Sequence, residues 1–257
     1  MPKILIRRQK KEFIPELNRE VTTVKAKQYF VTDPKNPINT SDGLISVEEL
    51  QKSDGSKVFT QNSKKEFTLF SAQFIDIYKR LRKLPQTIPL KDVGFIITET
   101  GINKDSIVVD AGAGSAALAS ILAHLCKELI TYEIREDFLK NIQSNIDSLG
   151  IKNITVKHQN IYKGIDEKNV DLITLDLPEP WNAIPAIDQA LKISGFVVNY
   201  SPTLPQVMDF VAALEKNEHF LVIKTVELIE RLWEVNGRRV RPKSISIGHS
   251  GFLTLVR

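Results

Sequence analysis

The sequence predicts an α/β protein: a mainly parallel sheet covered on both faces by helices, with a small β-rich domain in front of it. Three features predict this. Between residues 106 and 226, apolar β-branched runs alternate with helix-length amphipathic stretches, the pattern of a sheet buried on both sides. The first 70 residues lack helical periodicity and are punctuated by turn signals instead. The last apolar run, residues 251–256, follows its predecessor without an intervening helix, so it is expected to return antiparallel beside an earlier strand.

The elements follow in order. Short β-rich runs fall at residues 3–8, 28–32, 43–47 and 57–61, separated by Asp33-Pro34-Lys35-Asn36-Pro37, Ser41-Asp42-Gly43 and Ser53-Asp54-Gly55. Such punctuation predicts a strongly bent, barrel-like domain over residues 1–70. Residues 71–84 place Phe74, Ile77, Tyr78 and Leu81 at helical spacing and read as a connecting helix that Pro85 ends. The larger domain then spans residues 85–257. Its strands are expected at 106–111, 129–133, 154–157, 171–176, 195–200, 220–226 and 251–256, and its helices at 115–126, 135–149, 182–190 and 204–217.

Composition narrows the function classes. Hydrophobic residues make up 42% and charged residues 26%, ordinary values for a globular protein. No run reaches the roughly 18 apolar residues of a membrane helix, and the first residues lack the apolar core of a signal peptide. A cytoplasmic location is expected. The single cysteine, Cys126, excludes an internal disulfide framework, and with four scattered histidines no metal centre is expected. Charge is uneven: basic residues outnumber acidic ones in 1–83 and in 231–257, whereas acidic ones dominate 84–230. Basic ends flanking an acidic body suit a polyanionic partner. The tail cluster of Arg231, Arg238, Arg239, Arg241 and Lys243, with Trp233 among them, combines phosphate-binding guanidinium groups with a stacking face.

The first long strand runs into Val108-Val109-Asp110-Ala111-Gly112-Ala113-Gly114-Ser115 and then directly into a helix. Glycines at this position let the backbone pass close to a ligand, and the helix start offers free N–H groups. Glu133 ends the next strand 21 residues after Gly112, a spacing that suits a carboxylate holding ribose hydroxyls. A dinucleotide site would carry a third glycine, but this loop continues Ser115-Ala116-Ala117. The acid Asp110 ahead of the glycines disfavours a pyrophosphate and suits the positive ammonium and sulfonium groups of S-adenosyl-L-methionine. With the antiparallel last strand, this indicates a Rossmann-like S-adenosylmethionine-dependent methyltransferase sheet.

Several further motifs agree. They are Pro85-Gln86 with Lys91-Asp92, the glycine loop, Tyr132-Glu133-Ile134-Arg135-Glu136-Asp137-Phe138, Asp176-Leu177-Pro178-Glu179-Pro180-Trp181 and Pro202-Thr203-Leu204-Pro205-Gln206-Val207. The tail adds Gly237-Arg238-Arg239-Val240-Arg241-Pro242 and Gly248-His249-Ser250-Gly251-Phe252. On these motifs the chain, from about residue 68 onward, resembles the tRNA (adenine-58-N1)-methyltransferase family, particularly its archaeal members. The resemblance implies methyl transfer from S-adenosylmethionine to N1 of an adenine in the tRNA T loop, at position 58, with 57 left open. It also implies a tRNA partner and a homo-oligomer, a tetramer in the family. By the same resemblance Gln86, Ala111, Gly112, Ala113, Gly114, Ser115, Ala116, Leu118, Glu133, Phe138, Asn160 and Asp176 would surround the cofactor, and Arg238, Arg239 and Arg241 would meet tRNA. The family has glycine where this chain has Ala116 and aspartate where it has Asn160.

Asp176 is the expected catalytic residue. Methylation leaves adenine positively charged, and a fixed carboxylate accepting from the exocyclic amino group would stabilise that charge as it develops. The target lies inside a folded loop, so the base is expected to flip out first. Trp181 reads as core packing more than as a stacking platform, and for His249 a structural turn role stands at least level with a catalytic one. Two other readings stay open: a tRNA-binding paralogue without catalysis, and a methyltransferase of corrinoid precursors.

Overall fold

Alternation builds the first sheet. Phe67 and Leu69 are buried while Glu66, Thr68 and Phe70 between them are not, the period-two signature of a sheet with one covered face. The computed structural model describes residues 1–84, 87–245 and 248–257, and it divides into two units, Met1–Lys79 and Arg80–Arg257. Pro85 and Gln86 lie outside the described residues, so the expected helix stop and the expected cofactor contact of Gln86 do too.

The first unit contains β1 (Lys3–Arg7), β2 (Lys10–Ile14), β3 (Arg19–Val24), β4 (Lys27–Val31), β5 (Ile38–Thr40), β6 (Gly43–Ile45), α1 (Val47–Leu50), β7 (Lys57–Phe59), β8 (Glu66–Ser71) and α2 (Phe74–Tyr78). Four strands form one antiparallel sheet in the order β4-β1-β8-β7, and β2–β3 and β5–β6 are separate hairpins. Leu5, Val31, Val58, Phe67 and Leu69 from the sheet pack with Ile45 and Leu50. Where a barrel-like domain was expected, the described ladder is an open four-stranded sheet covered by a hairpin and a one-turn helix. The connecting helix expected over 71–84 is also only α2, five residues long. Beyond it, the N–H and carbonyl of Arg82 are taken by the Asn145 side chain, at 3.1 and 3.2 Å. A side chain that satisfies both backbone groups removes the need for a helical turn.

The second unit contains α3 (Leu90–Thr100), β9 (Ile107–Ala111), α4 (Ala117–Ala123), β10 (Glu128–Glu133), α5 (Glu136–Leu149), β11 (Ile154–His158), β12 (Val170–Leu175), α6 (Ile184–Ala190), β13 (Leu191–Ser201), α7 (Leu204–Leu214), β14 (Val222–Glu227), β15 (Trp233–Asn236), β16 (Arg239–Pro242) and β17 (Phe252–Val256). The seven-stranded sheet has the order β11-β10-β9-β12-β13-β17-β14, with β17 antiparallel to both neighbours, as expected. Successive residues of β9 explain why its sequence reads as a continuous apolar run. Val108 packs with Ile96, Leu122 and Ile142 on one face, and Val109 with Ile173, Ile187 and Phe210 on the other. Helix α3 was not expected. It runs from Pro89 to a left-handed Gly101, and the first strand masked it by drawing the reading to residue 106. Among the described residues no helix is long and apolar enough to cross a membrane.

Strand order reverses between β9 and β12, because β10 and β11 lie on one side and β13 on the other. A crevice opens at the carboxyl ends of the strands at such a switch. The loops after β9 and β12 carry Gly112 and Asp176.

Candidate functional site

The register brings the loops to one level: Ala111 lies opposite Tyr132 on β10 and opposite Leu175 on β12. The N–H groups of Gly112 and Ala113 both donate to the Tyr132 carbonyl, at 3.1 and 3.2 Å, and the Asp176 N–H donates to the Ala111 carbonyl at 2.9 Å. Gly112 adopts φ +90°, and a Cβ there would collide with the Asp176 carbonyl. Both its conformation and its neighbour therefore require glycine.

Glu133 locks this loop. One carboxylate oxygen accepts from the Gly114 N–H at 2.9 Å and the other from the Arg135 N–H at 2.9 Å, so the end of β10 is tied to the turn after β9. Each oxygen keeps a second lone pair, and Glu133 lines the larger part of the cleft. Phe138, on the first turn of α5, is covered by the Arg135 guanidinium at 3.7 Å from its ring centre. Asn160 lines the same space, and its side-chain oxygen accepts from the Tyr162 N–H at 3.0 Å. An aspartate oxygen would cap this turn equally well.

The cleft has two parts, one of about 470 Å³ and one of about 60 Å³, which share Gly112, Gly114, Phe138 and Asp176. Ala113, Ser115 and Leu118 line the smaller part. Ala111 and Ala116 line neither; both are wholly buried in the cores on either side of the sheet. Ala116 has φ +56° at the start of α4, a left-handed conformation that costs a residue with a Cβ about 1–2 kcal/mol.

Asp110 lies at the base of the smaller part of the cleft. It is 2% exposed, and its oxygens accept from the hydroxyls of Thr131 and Thr174, on the flanking strands, at 2.8 and 2.7 Å. Burial pushes its carboxyl up, against the lowering effect of the two hydroxyls. It joins three strands and adds negative potential beneath the glycine loop.

Asp176 stands at the mouth. Among the described residues its carboxylate has no hydrogen-bond or ion-pair partner, although it is largely buried. Burial, reinforced by the charge of Asp110, pushes it up to about 7. An unpartnered carboxyl poised near neutrality in a cleft is a functional-site signature.

Asn145 was missed by the sequence reading. Besides Arg82, it donates to the Ser115 carbonyl at 2.9 Å, so α5 braces the glycine loop. The signal was a polar residue beside Ile142 and Ile146 on the buried face of α5. The tail motif is structural as well. His249 contacts the Glu227 carboxylate and the Pro202 carbonyl, the latter at 2.9 Å, and these two acceptors raise the ring's proton affinity above that of a free imidazole. Ser250 joins Lys91 to the fully buried Asp92, and Gly251 passes beneath the Tyr200 ring where a Cβ has no room. Trp181 packs on the core below the cleft.

Arg238, Arg239 and Arg241 lie on the exposed β15–β16 hairpin and not in the cleft. Arg241 pairs with Glu234 at 2.9 Å, and the guanidinium of Arg231 lies 5.5 Å from the Trp233 ring. Among the described residues no cluster of His, Cys, Asp or Glu is arranged to hold a metal ion.

Comparisons with known proteins agree with this geometry. Residues 79–255 match the family model described as tRNA methyltransferase complex GCD14 subunit. The chain is 32% identical, over 91% of its length and 92% of the relative's, to the tRNA (adenine(57)-N(1)/adenine(58)-N(1))-methyltransferase TrmI of Methanocaldococcus jannaschii. Two solved structures superpose on nearly the whole chain. One is a SAM-dependent O-methyltransferase from Thermotoga maritima, with TM-score 0.80, 26% identity and coverage of 99% of this chain and 91% of that one. The other, the tRNA (m1A58) methyltransferase TrmI of Aquifex aeolicus, has TM-score 0.77, 22% identity and coverage of 99% and 96%, and speaks for the fold. A match of this extent, laid over a switch-point cleft with its glycine loop and its free acid, places the chain in the tRNA methyltransferase complex GCD14 subunit family.

Proposed function

We propose that this protein transfers the methyl group of S-adenosylmethionine to N1 of an adenine in the tRNA T loop, at position 58. The observation that carries the reading is Asp176: a largely buried carboxyl that has no partner among the described residues, at the switch point beside the glycine loop. The family and the named activity of the archaeal relative supply the reaction class. That relative's name includes position 57 as well as 58, so both adenines are candidate targets here.

The residues present fit the cofactor. A Cβ at Gly112 would fill the turn, Glu133 retains acceptor lone pairs at the cleft wall, and a cleft lined by three acids, Asp110, Glu133 and Asp176, whose one cation, Arg135, pairs with Asp137, favours a positively charged ligand. Gly112, Ala113, Gly114, Ser115 and Leu118 would hold its methionine part, Glu133 its ribose, and Phe138 and Asn160 its adenine end. Bound S-adenosylmethionine supplies an electrophilic methyl group on a cationic sulfur.

This chain's own part is to orient the target base and to stabilise charge. Ionised Asp176 accepts from the exocyclic N6 amino group, which grows more acidic as N1 becomes alkylated, so the hydrogen bond strengthens toward the transition state. Keeping Asp176 largely out of water strengthens that interaction further. Arg238, Arg239 and Arg241 would contact tRNA phosphates. The same hairpin exposes Trp233, Val235 and Val240, apolar surface that suits association with further copies of the chain.

Mass mapping of modified nucleosides tests the reading. After incubation of unmodified tRNA with protein and S-adenosylmethionine, N1-methyladenosine is expected in the T loop. A product elsewhere, or tRNA binding with no methylated product, would replace this reading with another substrate or with a non-catalytic paralogue.

A further inference from the structure

The first unit holds a second charged centre. Arg7 and Lys27 lie directly opposite each other in the β1–β4 ladder, an arrangement of like charges that is destabilising by itself. Asp42, in the β5–β6 turn and 5% exposed, offsets it. One of its oxygens lies 3.1 Å from Arg7 and 2.9 Å from Lys65; the other lies 2.8 Å from Lys27 and accepts from the Tyr29 hydroxyl at 2.8 Å. Burial alone would raise this carboxyl, but the four donors hold it well below the usual carboxylate range. Asp42 is saturated, and one negative charge faces three positive ones.

Arg7, Lys27, Asp42 and Lys65 line a cavity of about 560 Å³ between the base of the β2–β3 hairpin and strands β1, β4 and β8. Arg8, Lys10 and Lys25 line it too. Their side chains are exposed and make no ion pair among the described residues. Glu66 is the other acid of the lining, and it pairs with Lys57 at 3.1 Å. Six cationic side chains therefore share a concave surface with two carboxylates, both already engaged. Holding the fold together needs the Asp42 set alone. Arg8, Lys10 and Lys25 are surplus to it, and an anion seated among them would relieve their mutual repulsion. Phe67, the aromatic residue of the lining, is 1% exposed, so the surface offers no face on which a base could stack.

We propose that this cavity binds the phosphodiester backbone of RNA, independently of sequence, through Arg8, Lys10 and Lys25 on a frame set by Asp42, Arg7, Lys27 and Lys65. The choice of RNA among polyanions rests on the tRNA reading above. The site lies wholly within the first unit and adds phosphate contacts contributed by that unit.

The test compares wild type with the triple variant Arg8→Ala/Lys10→Ala/Lys25→Ala and with the charge-conserving Arg8→Lys/Lys10→Arg/Lys25→Arg. Fluorescence anisotropy measures affinity for a T-loop-containing tRNA transcript and for poly(U) across a salt series, and thermal melts check that each variant is folded. The alanine variant is expected to lose at least about tenfold in affinity for both RNAs. Its log–log salt slope should become shallower by about 2, as loss of three phosphate contacts requires, and the charge-conserving variant should match wild type. Unchanged affinity and slope in the folded alanine variant would overturn the proposal, whatever the enzyme methylates. If the alanine variant loses poly(U) while wild type methylates no tRNA, the site stands and the substrate reading falls.

Discussion

Asp176 concentrates the chemistry and a cost in one side chain. Its carboxyl is pushed up to about 7, from an ordinary value near 4. The folded state therefore holds a proton that the unfolded state has released between those two values. Folding stability contributed by the neutral form is full below about 4 and is lost as pH rises toward 7. Asp176→Asn, which stays neutral, is expected to melt above wild type at pH 8 and together with it at pH 4. Catalysis should change in the opposite sense. The variant should lose about 100- to 1000-fold in single-turnover rate, as for one preorganised polar group, and the wild-type rate should climb as pH rises through about 7. A variant within threefold of wild type would remove Asp176 from the mechanism. Ala116 makes a smaller case. Replacing it with glycine relieves about 1–2 kcal/mol of left-handed strain, forfeits about 0.8 kcal/mol of buried methyl, and adds about 0.5–1 kcal/mol of chain entropy to the unfolded state. These nearly cancel, so Ala116→Gly should leave the melting temperature within about 4 °C of wild type.

Elements were legible where one periodicity dominated. β9, β10, β12 and the second half of β13 announced themselves as apolar runs because both faces are buried, and the final antiparallel strand followed from a missing helix. The β2–β3 and β15–β16 hairpins stayed hidden for the converse reason. They are exposed on nearly every residue, so no buried face imposes alternation on their sequences. The site shows the same division. Glycines and acids at strand ends could be read directly, since backbone geometry demands the first and chemistry the second. Asn145 depends on contacts with Ser115 and Arg82, distant in sequence, and Asp110 on two threonines from neighbouring strands; pairings of this kind leave little local trace. The arginine hairpin yields a prediction at this scale. Arg238 and Arg239 lie past a left-handed Gly237 turn, outside the cleft. Arg238→Ala with Arg239→Ala should weaken tRNA binding severalfold and flatten its salt dependence by about 1.5, with cofactor affinity unchanged by calorimetry. A fall in cofactor affinity instead would assign these arginines to bracing the catalytic unit.

At the scale of the whole molecule, the cleft couples ligand charge to folding. The turn after β9 is tied to β10 through Tyr132 and Glu133 and to the end of β12 through Asp176, so a ligand seated there binds only when the sheet is formed. At a concentration one hundred times its dissociation constant such a ligand adds about 2.7 kcal/mol of stability. S-adenosylmethionine should therefore raise the melting temperature by several degrees, and NAD, whose pyrophosphate would face Asp110 and Asp176, should not. Protons separate the cationic cofactor from its demethylated product. A sulfonium beside Asp176 favours the carboxylate and lowers its proton affinity, whereas the product's thioether carries no charge at that position. Binding of S-adenosylmethionine near pH 7 should then release a fraction of a proton, and binding of S-adenosylhomocysteine should release less. Titration calorimetry in buffers of differing ionisation enthalpy reads the difference directly. In Asp176→Asn the proton release should vanish for both ligands while binding persists. Equal release by both ligands in wild type would mean that the charge of Asp176 does not sense the transferred methyl group's sulfur, and would place the acid elsewhere in the reaction.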